Sequence, residues 1–351
     1  MADTYRAAII GTGGIANAHA GYYVNDERTE IVAGADINEE HLTEFCDKYE
    51  IPDRYLDYEE MLAEQQPDLV SVCTWNATHP EITIAAAQAG VKAIISEKPM
   101  GEDLGGPMDA VTECERRGVK LVVHHQTRFK PGLRAVRELI AEGAIGTPVL
   151  MHYSTGGGML NIGSHSIDNY RWMIGDPAWT GVAGWIQRNT DRYERGAYCE
   201  EKTHALIEFD GGSEMILSID MVDLEKAKAF AIFGPEGVIN FDREWATVTN
   251  TEGTREVEMK PQLTYLGELI EWIEGGPEHR NAGRIALAAQ QIMMAIYESA
   301  RTRTRVEMPY DKRESPLAEM IEGGTLPAEG EPYDIRLEEA LAYAEMRRRQ
   351  E

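Results

Sequence analysis

Gly11, Thr12, Gly13, Gly14, Ile15 and Ala16 stand directly after an apolar run, Arg6–Ile10, and open a helical pattern, Ile15–Tyr23. In a strand–loop–helix setting this GxGxxA spacing has a specific use. Gly11 permits a tight turn, Gly13 lets the backbone approach a pyrophosphate, and Ala16 keeps the helix close to the strand. The helix N-terminus then offers N–H donors and positive potential to the phosphates. Asp36 follows twenty residues after Ala16 at the end of a second strand pattern, Glu30–Ala35. A carboxylate there accepts from adenosine ribose hydroxyls and repels a 2′-phosphate, so NAD is expected rather than NADP. The alternative is a glycine turn with an unrelated surface aspartate.

A second set is Glu97-Lys98-Pro99, at the end of the buried run Ile94-Ile95-Ser96. Open parallel sheets bind ligands beyond the carboxyl ends of their strands, where this lysine emerges. Proline after it restricts the Lys98 backbone to extended conformations. Lys98 is therefore a candidate to hold and polarise a substrate hydroxyl. The competing reading is a surface ion pair.

A third set follows the triple glycine Gly156-Gly157-Gly158. If residues 161–174 are helical, Asn161, His165 and Asp168 share a face, with Asn161 at or near the N-cap. That polar stripe suits several hydroxyls, and His165 is the member able to exchange a proton near neutral pH. Singly, His165 reads equally as a buried, hydrogen-bonded histidine. A metal site from these three is disfavoured because asparagine is a poor ligand for transition metals. Arg128 and Tyr153 are weaker candidates, either to contact substrate or to brace the domains.

Together these motifs resemble the glucose-fructose oxidoreductase / inositol dehydrogenase / rhizopine catabolism protein family. The resemblance rests on Gly11–Ala16, on Cys73-Thr74-Trp75-Asn76 with His79, on Glu97-Lys98-Pro99, on Arg128-Phe129, and on Gly156–Gly158 followed by Asn161–Asp168. It implies an N-terminal Rossmann domain and a C-terminal α/β domain whose open sheet often builds oligomer contacts. It also implies that Lys98 stands near nicotinamide and substrate, that Thr74, Asn76 and His79 lie along the cofactor, and that Glu97 touches its nicotinamide end. Two departures stand out. Trp75 replaces the family's usual proline, placing a bulky ring near the cofactor. Asn161 stands where many of the family's dehydrogenases carry aspartate, so a relay through that carboxylate is unavailable.

The elements needed to position these residues are legible as patterns. Strand-like runs alternate with helical ones up to about Phe129, including Leu69–Cys73, Lys92–Ser96 and Lys120–Val123, which implies a doubly wound parallel sheet. Thr78-His79-Pro80-Glu81 reads as a capping box. Beyond it, strands in close succession from Val149 to Met259 imply a mostly antiparallel open sheet in an α+β second domain. Helices follow at Leu263–Ile273 and Ile285–Thr302, and another is expected at Ile335–Arg349. The expected division is 1–127 for the dinucleotide-binding domain, 128–310 for the substrate and oligomerisation domain, and 311–351 for a C-terminal extension. The tail from Glu314 is either an arm that packs on a partner subunit or covers the cleft, or a solvated acidic extension.

Acidic residues outnumber basic ones by 60 to 34, a formal charge of −26. Such a field repels nucleic-acid phosphates and anionic lipid headgroups. No run approaches the roughly 18 apolar residues of a membrane span. Cys46, Cys73, Cys114 and Cys199 are widely spaced and form no CxxC pair, which points to a reducing cytoplasm. The expected function is hydride transfer between NAD(H) and a secondary hydroxyl of a sugar, polyol or glycoside. In that reading His165 takes the hydroxyl proton and Lys98 stabilises the oxyanion, in a homo-oligomer built through the second domain's sheet. Two other readings stay open: transient oxidation with no net redox, as in NAD-dependent glycosidases or epimerases, and an NAD-binding regulator without catalysis.

Overall fold

A computed structural model describes residues 4–221, 230–260 and 263–336. They form two compact units. The first comprises Met1–Gly101, Gly105–Phe129 and Lys260–Leu287; the second comprises Glu102–Leu104, Lys130–Met259 and Ala288–Glu351.

The first unit is built on six parallel strands: β1 (Tyr5–Ile10), β2 (Thr29–Ala35), β3 (Asp53–Tyr55), β4 (Leu69–Val72), β5 (Ala93–Ser96) and β6 (Lys120–Val123). Their order is β3-β2-β1-β4-β5-β6, the doubly wound arrangement. A sheet covered on both faces favours near-continuous apolar strands, and every residue of β4 and β5 is buried, Ser71 and Ser96 included. Alternation sorts β1 between two cores. Ala8 and Ile10 pack with Val70, Val72 and Ile94; Ala7 and Ile9 pack with Leu69, Ile95 and Tyr23.

The second core also takes Tyr265, Leu266, Leu269 and Ile270 from the helix Tyr265–Ile273. This corrects the expected boundaries. The chain returns to the first unit after its second-unit strands, because this helix carries an apolar face that packs on β6 and on the helix Ala16–Val24. Tyr265 Oη donates to the Val123 carbonyl at 2.9 Å and pins the helix there.

Register decides what the first unit can do. Ile10 pairs with Val72, Val72 with Ser96, and Ser96 with Val123, while Ile10 also faces Ala35. The residues that follow, Gly11, Asp36, Cys73, Glu97 and His124, therefore leave one carboxyl edge side by side. The capping box is a correction. Thr78 makes no side-chain cap; its hydroxyl turns back to the Trp75 carbonyl (2.9 Å), and a 3₁₀ turn, Asn76–Thr78, leads into the helix His79–Ala89.

The second unit adds β7 (Leu150–Thr155), β8 (Trp179–Gln187), β9 (Thr190–Glu194), β10 (Ala197–Tyr198), β11 (Lys202–Phe209), β12 (Glu214–Ile219), β13 (Phe230–Gly234), β14 (Gly237–Phe241), β15 (Ala246–Asn250), β16 (Gly253–Glu256), β17 (Val306–Glu307) and β18 (Glu329–Asp334). Among the described residues, nine strands form one sheet in the order β16-β15-β14-β13-β7-β12-β11-β8-β17, antiparallel except for β7 on β12. The last strand of the run expected to reach Met259 ends at Glu256, as β16 in a hairpin that closes through Gly253 at φ 117°. A small sheet, β10-β9-β18, was not expected. Through β18, running parallel to β9, residues 311–336 are part of the second unit rather than a separate extension. The helix expected at 335–349 lies, from residue 337 on, outside the described residues. Among the described residues no helix is long and apolar enough to cross a membrane.

Candidate active site

The loop after β1 is shaped by what glycine alone tolerates. Gly11 has φ 85°, and a Cβ there would lie 2.7 Å from the Cys73 carbonyl carbon. In front of Gly13 and Gly14 nothing lies within 4 Å of a Cβ position, leaving room for a pyrophosphate against the backbone. Asp36 ties this loop to the end of β2. Its Oδ2 accepts from Thr12 N (2.7 Å) and Thr12 Oγ1 (3.1 Å), and its Oδ1 from Asn38 N (2.8 Å). Beside it opens a pocket of about 320 Å³ whose walls include Ile10, Ala35, Leu56, Trp75 and Ile82, with Asp36 among them. Trp75 is half exposed there. Apolar walls with one carboxylate fit an adenine and its ribose, so these residues fit an NAD dinucleotide.

Further along the edge, Glu97 is only 5 % exposed and sits in a hydrogen-bond chain. Tyr23 Oη donates to Ser71 Oγ (2.8 Å), and Ser71 donates to His19 Nδ1 (3.0 Å). His19 Nε2 then donates to Glu97 Oε1 (3.0 Å). From the other side, Tyr22 Oη donates to His124 Nε2 (2.9 Å), and His124 Nδ1 donates to the same Oε1. In this assignment every donor has an acceptor. Burial alone raises the Glu97 carboxyl, but the two histidines outweigh it and hold the group well below the usual range. The free edge of the carboxylate takes the Lys98 backbone N–H on Oε2 at 3.2 Å. An ionised, immobilised Glu97 thus fixes where the half-buried Lys98 starts.

The other first-unit candidates serve largely as braces. His79 is 1 % exposed, with Nδ1 on the Pro99 carbonyl (2.7 Å) and Nε2 on that of Thr74 (3.0 Å), so it links the loops after β4 and β5. Asn76 is buried, while Thr74 lines the adenosine pocket. Arg128 is fully buried and donates to the Arg280 carbonyl at 2.9 Å.

In the second unit the helix expected from Asn161 starts later. Gly158–Gly163 forms a π-helical turn, and the α-helix runs from Ser164 to Met173. Single π turns of this kind recur at functional sites. The turn is held from outside. Asp220 accepts from Gly157 N and Gly158 N (3.0 Å each), and Glu200 accepts from Met159 N (3.1 Å). Asn161 lies inside the turn rather than at a cap, and its Nδ2 donates to Glu194 Oε1 at 2.9 Å. His165 is half-buried in the first turn of the α-helix, and Asp168 is buried one turn on. Tyr153 stacks on Phe230 with ring centroids 4.5 Å apart.

Two family models match this chain. One, an oxidoreductase family with an NAD-binding Rossmann fold, covers residues 5–125; the other, the GFO/IDH/MocA C-terminal domain, covers residues 152–240. The chain belongs to the Gfo/Idh/MocA oxidoreductase family. As a member it is an NAD-binding oxidoreductase. It is 26% identical to a D-apiose dehydrogenase of Paraburkholderia graminis, over 92% of this chain and 94% of that protein. It is also 26% identical to a D-glucoside 3-dehydrogenase of Escherichia coli, over 86% and 97%. Among solved structures, a levoglucosan dehydrogenase in complex with NADH shares the fold at a TM-score of 0.77, with 19% identity over 88% of this chain and all of that one. An Agrobacterium radiobacter oxidoreductase in complex with NAD+, L-tartaric acid and magnesium does so at 0.75, with 21% identity over 90% and 99%.

Several residues of this family member escape sequence reasoning. They are His19, which clamps Glu97 together with His124, and Glu194 and Arg336, which meet at Asn161. His19 had a usable signal, a lone histidine among small residues on the helix that opens at Ala16. Glu194 and Arg336 had none, since they reach Asn161 only through the tertiary fold.

Proposed function

We propose that this protein oxidises a secondary hydroxyl of a sugar, polyol or glycoside, or reduces the corresponding ketone. The observation that carries the reading is the shared carboxyl edge, where in-register strands deliver the dinucleotide loop at Gly11 and the Glu97-Lys98 pair. NAD supplies the hydride acceptor when bound. The Lys98 ammonium donates to the substrate oxygen and stabilises the alkoxide as it forms, while Glu97 holds that lysine's backbone in place. His165 takes the hydroxyl proton, and Asn161 and Asp168 select the substrate by hydrogen bonds to neighbouring hydroxyls. Relatives named for apiose, glucoside and inositol oxidation support a carbohydrate in that role.

In the same reading the protein works in a reducing cytoplasm, consistent with four buried cysteines that form no disulfide. It self-associates through the nine-stranded sheet, where Leu150, Trp185 and Phe233 are exposed. The test of function is a panel of sugars, polyols and glycosides incubated with protein and NAD, followed at the absorbance band of reduced nicotinamide. Turnover of at least one member is expected. Silence across the whole panel would refute the reading.

A further inference from the structure

We propose that Trp75 is a specificity-determining residue for the dinucleotide: its indole stacks on the adenine, so that the base is recognised by its flat face and not by its hydrogen-bonding edge. The inference concerns the cofactor alone and does not depend on which alcohol is oxidised.

The pocket of about 320 Å³ beside Asp36 is lined by three large apolar side chains that water reaches: Trp75 is 50 % exposed, Leu56 54 % and Ile37 95 %. They follow β4, β3 and β2, on the same carboxyl edge as Gly11. Exposed apolar residues scattered singly need no explanation, but three around one concavity mark a surface that a ligand covers. The indole is also held in advance. Trp75 is extended, with φ −85° and ψ 157°, and its carbonyl accepts from Thr78 N at 3.0 Å and from Thr78 Oγ1 at 2.9 Å. Next to it, the Thr74 carbonyl oxygen lies 3.0 Å from His79 Nε2. A ring on so fixed a backbone loses little freedom when a ligand covers it.

The polar side chains of the wall are committed elsewhere. Asp36 accepts from Thr12 and Asn38. Thr78 Oγ1, bonded to the Trp75 carbonyl, lies 2.8 Å from Thr74 Oγ1, and Tyr58 Oη donates to Glu81 Oε1 at 3.4 Å. Among the described residues the wall holds no Asn, Gln, Lys or Arg that could read the edge of a purine. Stacking needs no such group, because every base has a π-face. Contact with that face therefore sets the affinity for the base, while Asp36 serves the ribose. The indole stands where the family usually has proline, so this way of holding the base belongs to Trp75 itself.

The test uses ADP-ribose, which carries the adenine without nicotinamide, on wild type, W75F and W75A. Affinity is read by calorimetry and the stacked ring by tryptophan fluorescence, W75F separating Trp75 from the other tryptophans of the six in the chain. On wild type, NAD is also compared with nicotinamide hypoxanthine dinucleotide, in which a carbonyl replaces the amino group of the base. ADP-ribose should quench the wild-type emission. W75F should lose most of that quench yet bind within about threefold of wild type, since a phenyl ring still stacks. W75A should bind ADP-ribose about tenfold more weakly. Both variants should keep the wild-type melting temperature without ligand, because the ring they alter is half exposed. The hypoxanthine dinucleotide should bind within about threefold of NAD. W75A binding as tightly as wild type overturns the inference, as does W75F binding as weakly as W75A or a quench undiminished in W75F. A hypoxanthine analogue weaker by tenfold or more overturns it too, since that marks an edge read by hydrogen bonds, and so does a wild type that binds no ADP-ribose. A wild type that binds ADP-ribose and NAD in this way but oxidises no carbohydrate refutes the proposed function and leaves this inference standing.

Discussion

Asp36 holds the dinucleotide loop through Thr12 while standing in the wall of the adenosine pocket. Removing its carboxylate therefore weakens loop and ligand together. Asp36→Ser should raise the KM for NAD about tenfold and narrow the preference over NADP by a similar factor, measured by steady-state kinetics with both cofactors. Unchanged cofactor preference would contradict that role. His19 makes a different mark. Burial, reinforced by the His124 ring and opposed by Glu97, pushes it from 6.5 down to about 4. Between those values the unfolded chain holds the extra proton, so stability is full above about pH 6.5 and is lost as pH falls toward 4. Glu97 acts in the same direction lower down, where its depressed pKa gives stability present above the usual carboxylate range and lost on further acidification. His19→Asn should remove the upper part of this slope, up to about 3 kcal/mol, in denaturant unfolding at a series of pH values. Equal slopes in the two proteins would contradict the buried, neutral ring.

Among the elements, the helix Tyr265–Ile273 tests the chain's return to the dinucleotide-binding unit. Leu269 is fully buried against the β1 core. Leu269→Ala should cost about 2–5 kcal/mol and weaken NAD binding through the loosened unit, read by chemical denaturation and cofactor titration. An NAD affinity and stability equal to wild type would place that helix elsewhere. Its pairing with the first unit was invisible in sequence, because an apolar helical face states that it is buried and not against what. The strands β1, β2, β4, β5 and β6 were legible, since short apolar runs between helical patterns allow little else. The small sheet was not. Thr190–Glu194 and Glu329–Asp334 are polar, one contains Pro332, and neither alternates. They hold together through backbone pairing and through contacts such as Arg336 with Glu194, 142 residues apart. The placing of Gly11, Asp36 and Lys98 at strand ends could be read because fold and motif are local there. The clamp on Glu97 and the brace on Asn161 could not, because each joins distant segments. The helix expected from Asn161 failed for another reason: Gly157 and Gly158, with φ of 99° and 77°, allow a wider turn that period-based reading mistakes for an α-helix.

At the scale of the whole molecule, a formal charge of −26 sets up repulsion across the surface. Screening that repulsion should outweigh the weakening of exposed ion pairs worth about 0–1 kcal/mol each, so the melting temperature should rise from low to moderate salt in calorimetry. A fall would show that local ion pairs dominate. The central claim concerns a hydride, and it can be followed directly. Carbohydrate carrying deuterium at the reacting carbinol carbon is incubated with NAD and either wild-type protein or the K98A variant, and the reduced cofactor is weighed by mass spectrometry. The expected result is cofactor one mass unit heavier from wild type, and a rate lower by about a hundredfold or more in K98A at equal NAD affinity. Deuterium that never reaches the cofactor, or a Lys98 variant that transfers it as fast as wild type, would contradict the account.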